Sequence, residues 1–141
     1  MPAVTNVLVV GDNHVGKTSL VHYLKYDRPL QHPSSTVGVE FTTMRIDGRT
    51  FHVWDVEGLH TLSLIDKKRF QHVFVVCNAR EPDTVEPYVE AVKHNNNLVT
   101  LVANKSEDPA AQPRGYLCTS ALLGTNVNEL RMRLVRSQLN D

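Results

Sequence analysis

A chain of 141 residues with 41% apolar content is sized for one domain with a substantial core. Fifteen basic residues balance fifteen acidic ones, so no bulk charge draws it to nucleic acid or to an anionic membrane. No apolar run approaches a membrane span, the start is not that of a signal peptide or a myristoylated protein, the end has no prenylation box, and the seven histidines lack metal-ligand spacing. Cys77 and Cys118 lie within apolar runs and read as buried small hydrophobes of a reducing compartment, so a cytoplasmic protein is expected.

Val4–Val10 is apolar and β-branched, the pattern of a buried strand. After Gly11–Thr18, the segment Ser19–Tyr26 places Leu20, Val21 and Leu24 on one helical face. Residues 27–35 hold two prolines and little periodicity, so they read as an exposed loop. Val37–Ile46 alternates as a strand, Asp47-Gly48 is a two-residue hairpin turn, and Thr50–Trp54 returns. Residues 59–70 suggest a short helix turning Leu59, Leu62, Ile65 and Phe70 inward, with Lys67, Lys68 and Arg69 solvated at its end. His72–Cys77 is another buried strand. Glu81–Lys93 reads as helix, with Pro82 in its first turn and Pro87 marking a late start or a kink. Asn95–Asn97 turns into the strand Leu98–Ala103. Residues 106–114 are loop and Tyr116–Thr119 a last short strand. Thr125 or Asn126 then caps a final helix to about Leu139, burying Val127, Leu130 and Leu134 and turning Arg131 and Arg136 outward. One hairpin followed by strand–helix alternation implies a single α/β domain over residues 1–141. Its sheet is expected to be mostly parallel and six-stranded, with one antiparallel hairpin strand and helices on both faces.

Gly11-Asp12-Asn13-His14-Val15-Gly16-Lys17-Thr18 spells G-x-x-x-x-G-K-T between a strand and a helix, the context of a phosphate-binding P-loop. Glycines let the main chain approach phosphate oxygens. The amides of Asn13, His14, Val15 and Gly16, continued by Lys17, Thr18 and Ser19 at the helix N-terminus, would hold the negative charge. Lys17 would reach the β- and γ-phosphates and the Thr18 hydroxyl would ligate Mg²⁺. Further on, Asp55 ends a strand and can hold Mg²⁺ through water, and Gly58 can offer its N–H to a γ-phosphate.

With Asn104-Lys105-Ser106-Glu107 and Thr119-Ser120-Ala121 added, the chain resembles the Ras-like small GTPases, and among them the Rab proteins, over almost its whole length. The resemblance implies a G domain that binds GTP or GDP with Mg²⁺. Thr36 stands 18 residues after Thr18, at the family's switch I position, and would join Mg²⁺ and the γ-phosphate. Asp55 and Gly58 match the D-x-x-G that opens switch II. Asn104, Lys105 and Glu107 match the guanine motif N-K-x-D, and Ser120 and Ala121 match the S-A-K motif.

The departures bear on activity. Leu59 stands where hydrolysing members carry the glutamine that orients the attacking water, and even an intact site hydrolyses GTP at only about 10⁻⁴ per second unaided. Near-zero intrinsic hydrolysis is therefore expected, with His60 one position out of register for a substitute. Asn13 and His14 replace small loop residues, and a positive φ at His14 would strain its backbone. Glu57 replaces a small residue and either sets a carboxylate near the γ-phosphate or points into solvent. Glu107 offers guanine a longer stem than aspartate, with Asp108 as a neighbouring substitute, Pro29 where an aromatic usually packs on the base, and Leu122 in place of the lysine of S-A-K. These changes predict weakened guanine affinity. The hairpin is shorter than the Rab pattern by equal, even amounts in each arm, which preserves its inward and outward faces. Only 15 residues, including Pro109 and Pro113, separate Asn104 from Ser120, so the helix usual between the fifth and sixth strands should be missing or reduced, leaving one sheet face thinly covered.

Two functional readings follow. One is a GTP-binding switch with impaired hydrolysis, engaging effectors through residues 27–41 and 57–66, loaded by an exchange factor and recruited to membranes by partners, without a lipid anchor of its own. The other is a pseudo-GTPase acting as an interaction scaffold with weak or no nucleotide binding. A nucleoside monophosphate kinase is a poorer fit, because the hairpin leads into D-x-x-G and no arginine-rich lid is present.

Overall fold

The computed structural model describes residues 4–31, 38–93 and 97–139, the last three by backbone alone. Six strands, β1 (Val4–Gly11), β2 (Val39–Ile46), β3 (Arg49–Glu57), β4 (His72–Asn78), β5 (Leu98–Asn104) and β6 (Leu117–Cys118), form one sheet in the order β2-β3-β1-β4-β5-β6. Only the β2–β3 pair is antiparallel. Among the described residues four α-helices, α1 (Lys17–Tyr26), α2 (Leu59–Ser63), α3 (Glu86–Val92) and α4 (Val127–Leu139), cover it.

β1 lies between β3 and β4 and is buried on both faces, which accounts for its near-continuous apolar run. Val7 and Val9 face α1 and α4, packing with Leu20, Leu24, Leu130 and Leu134. Leu8 and Val10 face the other way, with Leu62, Val85, Tyr88 and Val92. The hairpin turns at Asp47 (φ 51°) and Gly48 (φ 75°), where two successive positive φ values match the strand twist.

Several sequence expectations need correction. The helix expected over 59–70 stops at Ser63, and a separate 3₁₀ turn spans Lys67–Arg69. Asp66 is extended and accepts a hydrogen bond from the Lys68 amide, drawing that amide away from a continuous helix. Leu59 is 43% exposed, not inward, because α2 begins there and only Leu62 reaches the core. Pro82 opens a 3₁₀ turn over Pro82–Val85, and Pro87 sits in the first turn of α3, so the two prolines divide the expected helix in two. Cys77 is buried but Cys118 is half-buried.

Arg131 does not point to solvent. Its guanidinium crosses to the C-terminus of α1, donating to Leu24 O (3.1 Å) and Tyr23 O (2.9 Å) and pairing with Asp27 (2.8 Å). A positive charge there complements the helix dipole and satisfies orphan carbonyls. Before α4, Asn126 takes φ 56° and donates its side-chain amide to Cys118 O.

No helix occurs between β5 and β6; residues 105–116 run as turns and loop. Ala111 and Tyr116 fill part of the gap, and the Tyr116 hydroxyl donates to Pro82 O. Val99 is still 37% exposed and Leu101 half-buried on that face. Thr36 and Val37, together with residues 32–35 and 94–96, lie outside the described residues.

Candidate functional site

The phosphate loop joins β1 to α1 at the carboxyl ends of the parallel strands. Its glycines are demanded by space. A Cβ on Gly11 (φ 153°) would lie 2.2 Å from Val76 O, and one on Gly16 (φ 89°) 2.5 Å from Asn104 Nδ2. His14 takes φ 66° and is stabilised there by its amide donating to Asn13 Oδ1 (3.0 Å). Gly16 stands at the N-cap of α1 without a side-chain cap, so the first amides of the helix keep their capacity for an anion.

Lys17 is buried and donates to Asp12 O (2.9 Å), which folds its ammonium back over the loop. Burial pulls its pKa below the ordinary lysine value, against the opposing charges of Asp55, Glu57 and Asp12. Asp55, at the end of β3, is buried too, and burial raises its carboxyl pKa. Thr18 donates its hydroxyl to Asp55 Oδ2 (2.7 Å), while Asp55 Oδ1 is buried without a hydrogen-bond partner. A desolvated ammonium, a cation-seeking carboxylate and an uncapped helix N-terminus thus meet at one corner. A phosphate chain and a divalent cation fit this donor set: Thr18 and Asp55 would hold the cation, and Lys17 with the loop amides would hold the phosphates.

The base corner is braced against the same loop. Asn104 donates to Val15 O (2.9 Å) and accepts from Thr119 Oγ1 (3.0 Å). Lys105, at φ 63°, donates to His14 O (2.7 Å), so its stem lies across the loop. Ser120 is fully buried and accepts the Leu123 amide on Oγ (3.0 Å), which tightens the turn carrying Ala121. Asn104, Lys105 and Ala121 line a cavity of about 230 Å³ together with Pro29, Leu30, Glu107 and Leu122. Asp108 is committed elsewhere, bound to Arg80 (2.8 Å) and to the Ala110 amide (2.9 Å), so any carboxylate reading of a base falls to Glu107. Leu122 is 66% exposed and supplies an apolar wall where a lysine stem would otherwise lie.

The structure brings Asn13 through Ser19, Asp55, Gly58, Asn104, Lys105, Glu107, Ser120 and Ala121 to one end of the sheet. Gly58 (φ 83°) opens α2 with free space around its Cα. Thr36 lies outside the described residues. Glu57 is half-buried with Oε2 buried and unpartnered, so its carboxylate does not lie wholly in solvent. Sequence reasoning missed Tyr88, whose hydroxyl donates to Asp12 Oδ1 (2.7 Å) and ties α3 to the loop, and Leu30, which lines the base cavity beside Pro29. No local motif marks either, since both contacts depend on tertiary approach. Beside the site, Val39, Phe41, Leu59 and Leu64 are exposed, with Phe41 edge-on to Trp54 at 4.9 Å.

Sheet order, phosphate loop and base corner define a Ras-like P-loop GTPase domain. By sequence the chain belongs to the family described as Ras of Complex, Roc, domain of DAPkinase, matched over residues 6–107. It is also similar to Rab proteins. It is 26% identical to a probable Rab-related GTPase of Acanthamoeba polyphaga mimivirus, over 70% of this chain and 53% of the relative. It is 28% identical to Ras-related protein RABA1b of Arabidopsis thaliana, over 87% and 69%, and 27% to Ras-related protein Rab-5A of Dictyostelium discoideum, over 92% and 78%. The chain therefore spans from about half to about three-quarters of the length of these relatives.

Proposed function

We propose that the protein is a guanine-nucleotide-binding switch that holds Mg²⁺ and nucleotide with little or no intrinsic hydrolysis. The observation that carries this reading is the pair of buried, under-bonded charged groups at the loop: Lys17, with one carbonyl as hydrogen-bond acceptor among the described residues, and Asp55, with one orphan carboxylate oxygen. Each favours a ligand that brings the opposite charge. Impaired turnover rests on Leu59, which has no group to orient water at the head of α2. Recognition by effectors would use the exposed apolar side chains Phe41, Leu59 and Leu64, beside loops that a bound nucleotide would order. An exchange factor, a cytoplasmic location and recruitment to membranes by partners belong to the same proposal.

The test is calorimetry of the purified chain with Mg·GDP and Mg·ADP, followed by a single-turnover assay with GTP. Guanine-selective binding and a rate below about 10⁻⁴ per second support the reading. A well-folded chain that binds neither nucleotide supports the second reading, a scaffold that keeps the fold without the ligand. Glu57 favours that second reading to the extent that it crowds a bound phosphate.

A further inference from the structure

β3 runs beside β1 with Glu57 in register with Gly11, the first glycine of the phosphate loop. The Glu57 main chain is fixed, because its amide donates to Gly38 O (3.0 Å). Its side chain is half-buried and Oε2 is shut from solvent with no hydrogen-bond partner. The carboxylate is near enough for its charge to hold protons more tightly on Lys17, Asp55 and Tyr88, which belong to three different elements. With Gly11 beside it across the sheet, that buried oxygen lies at the loop end of β3. Asp12, Asp55 and Glu57 are all close enough to act on one buried ammonium.

A terminal phosphate of a triphosphate would have to lie between the Lys17 ammonium and the Gly58 amide. Glu57 is covalently next to Gly58, which has open space around it, and Glu57 Oε2 is buried without a partner. We propose that Glu57 selects a nucleoside diphosphate over a triphosphate, by setting an unneutralised carboxylate beside the position of the third phosphate. This rests on the nucleotide-binding reading above and goes beyond it, because it names the charge state of the resident ligand. The diphosphate leaves that space to Glu57; the triphosphate brings a second anion into a partly desolvated pocket, where like charges repel strongly.

The test is calorimetry with Mg·GDP and with a non-hydrolysable Mg·GTP analogue, on the wild type and on Glu57→Ala and Glu57→Gln. Circular dichroism melts confirm that each chain is folded. The wild type is expected to prefer the diphosphate at least tenfold. Both variants should bring the triphosphate analogue within about threefold of the diphosphate, with diphosphate affinity itself moving less than threefold. Equal wild-type affinity for the two ligands overturns the proposal. So does a parallel loss of both in the variants, which would mean that Glu57 supports the cation instead. Folded chains of all three kinds that bind neither ligand would overturn the nucleotide reading itself, and the selectivity with it.

Discussion

At Lys17 the sign of the expected effect depends on whether ligand is present. The buried ammonium is stabilised by a single carbonyl acceptor and by carboxylates acting at range, while desolvation works against it. Lys17→Met should therefore raise the melting temperature of the ligand-free chain and lower Mg·GDP affinity by roughly 10- to 100-fold, the scale of a lost charge-assisted hydrogen bond. Thermal melts and titration calorimetry on the same preparations check both signs. Leu59 is exposed at the start of α2 and makes no demand on the core, so it can be replaced freely. Leu59→Gln should raise the single-turnover GTP rate at least fivefold without changing the melting temperature. An unchanged rate would show that Glu57 or His14 blocks the water as well.

At the scale of elements, α1 and α4 share a core face and are tied at the end of α1 by Arg131. Arg131 is 17% exposed in its side chain and bonds two carbonyls and a carboxylate at the end of α1. Arg131→Ala should cost about 1–3 kcal/mol in urea unfolding, as a lost multidentate hydrogen bond at a helix C-terminus. Arg131→Lys should recover less than half, since a single ammonium cannot span the same three acceptors. This contact also marks where sequence reading stops. The apolar period correctly placed Val127, Leu130 and Leu134 inward, but periodicity alone treats an arginine one position on as solvent-facing. It carries no information on which carbonyls a neighbouring helix end leaves unpaired. Strands were legible because β1 and β4 are buried on both faces and so appear as apolar runs, and β5 keeps such a run although one of its faces is thinly covered. The break after Ser63 was not, because it depends on Asp66 capturing an amide two residues on. The phosphate loop and base motif were legible as spaced residue types; the Tyr88–Asp12 bond that ties α3 to the loop was not, since its partners lie 76 positions apart.

For the molecule as a whole, acid should reveal a stored charge penalty far from the nucleotide end. His72 opens β4, 3% exposed, with Nε2 3.0 Å from Thr100 Oγ1 and Nδ1 buried without a partner. Burial, assisted by the Arg133 charge, pushes its pKa down to about 4 from 6.5. Between these values the unfolded chain takes up a proton that the folded chain refuses. Stability is thus intact above pH 6.5, falls as pH drops through that window, and levels off below about pH 4. The difference of pKa corresponds to about 3 kcal/mol. Urea midpoints at pH 7 and pH 4.5 should show most of this loss, and His72→Gln should remove it while leaving other acid effects in place. The thinly covered face of β5 adds a second weakness, so exchange of the Val99 and Leu101 amides should precede that of Val9 and Val75 at the centre of the sheet.

Asn104 spends its amide on the carbonyls of Val15 and Gly16, and the methyl-sized space above Gly16 is occupied by that same nitrogen. The corner that would distinguish one base from another is consequently also a buttress for the turn that would grip phosphorus. Inorganic pyrophosphate, which has no base to be recognised, should therefore bind Asn104→Ala more weakly than wild type, and by a factor close to that seen for the whole nucleotide. Selectivity and grip in this chain would then drift together under mutation, so that a lineage relaxing its choice of base loosens its hold on every ligand at once.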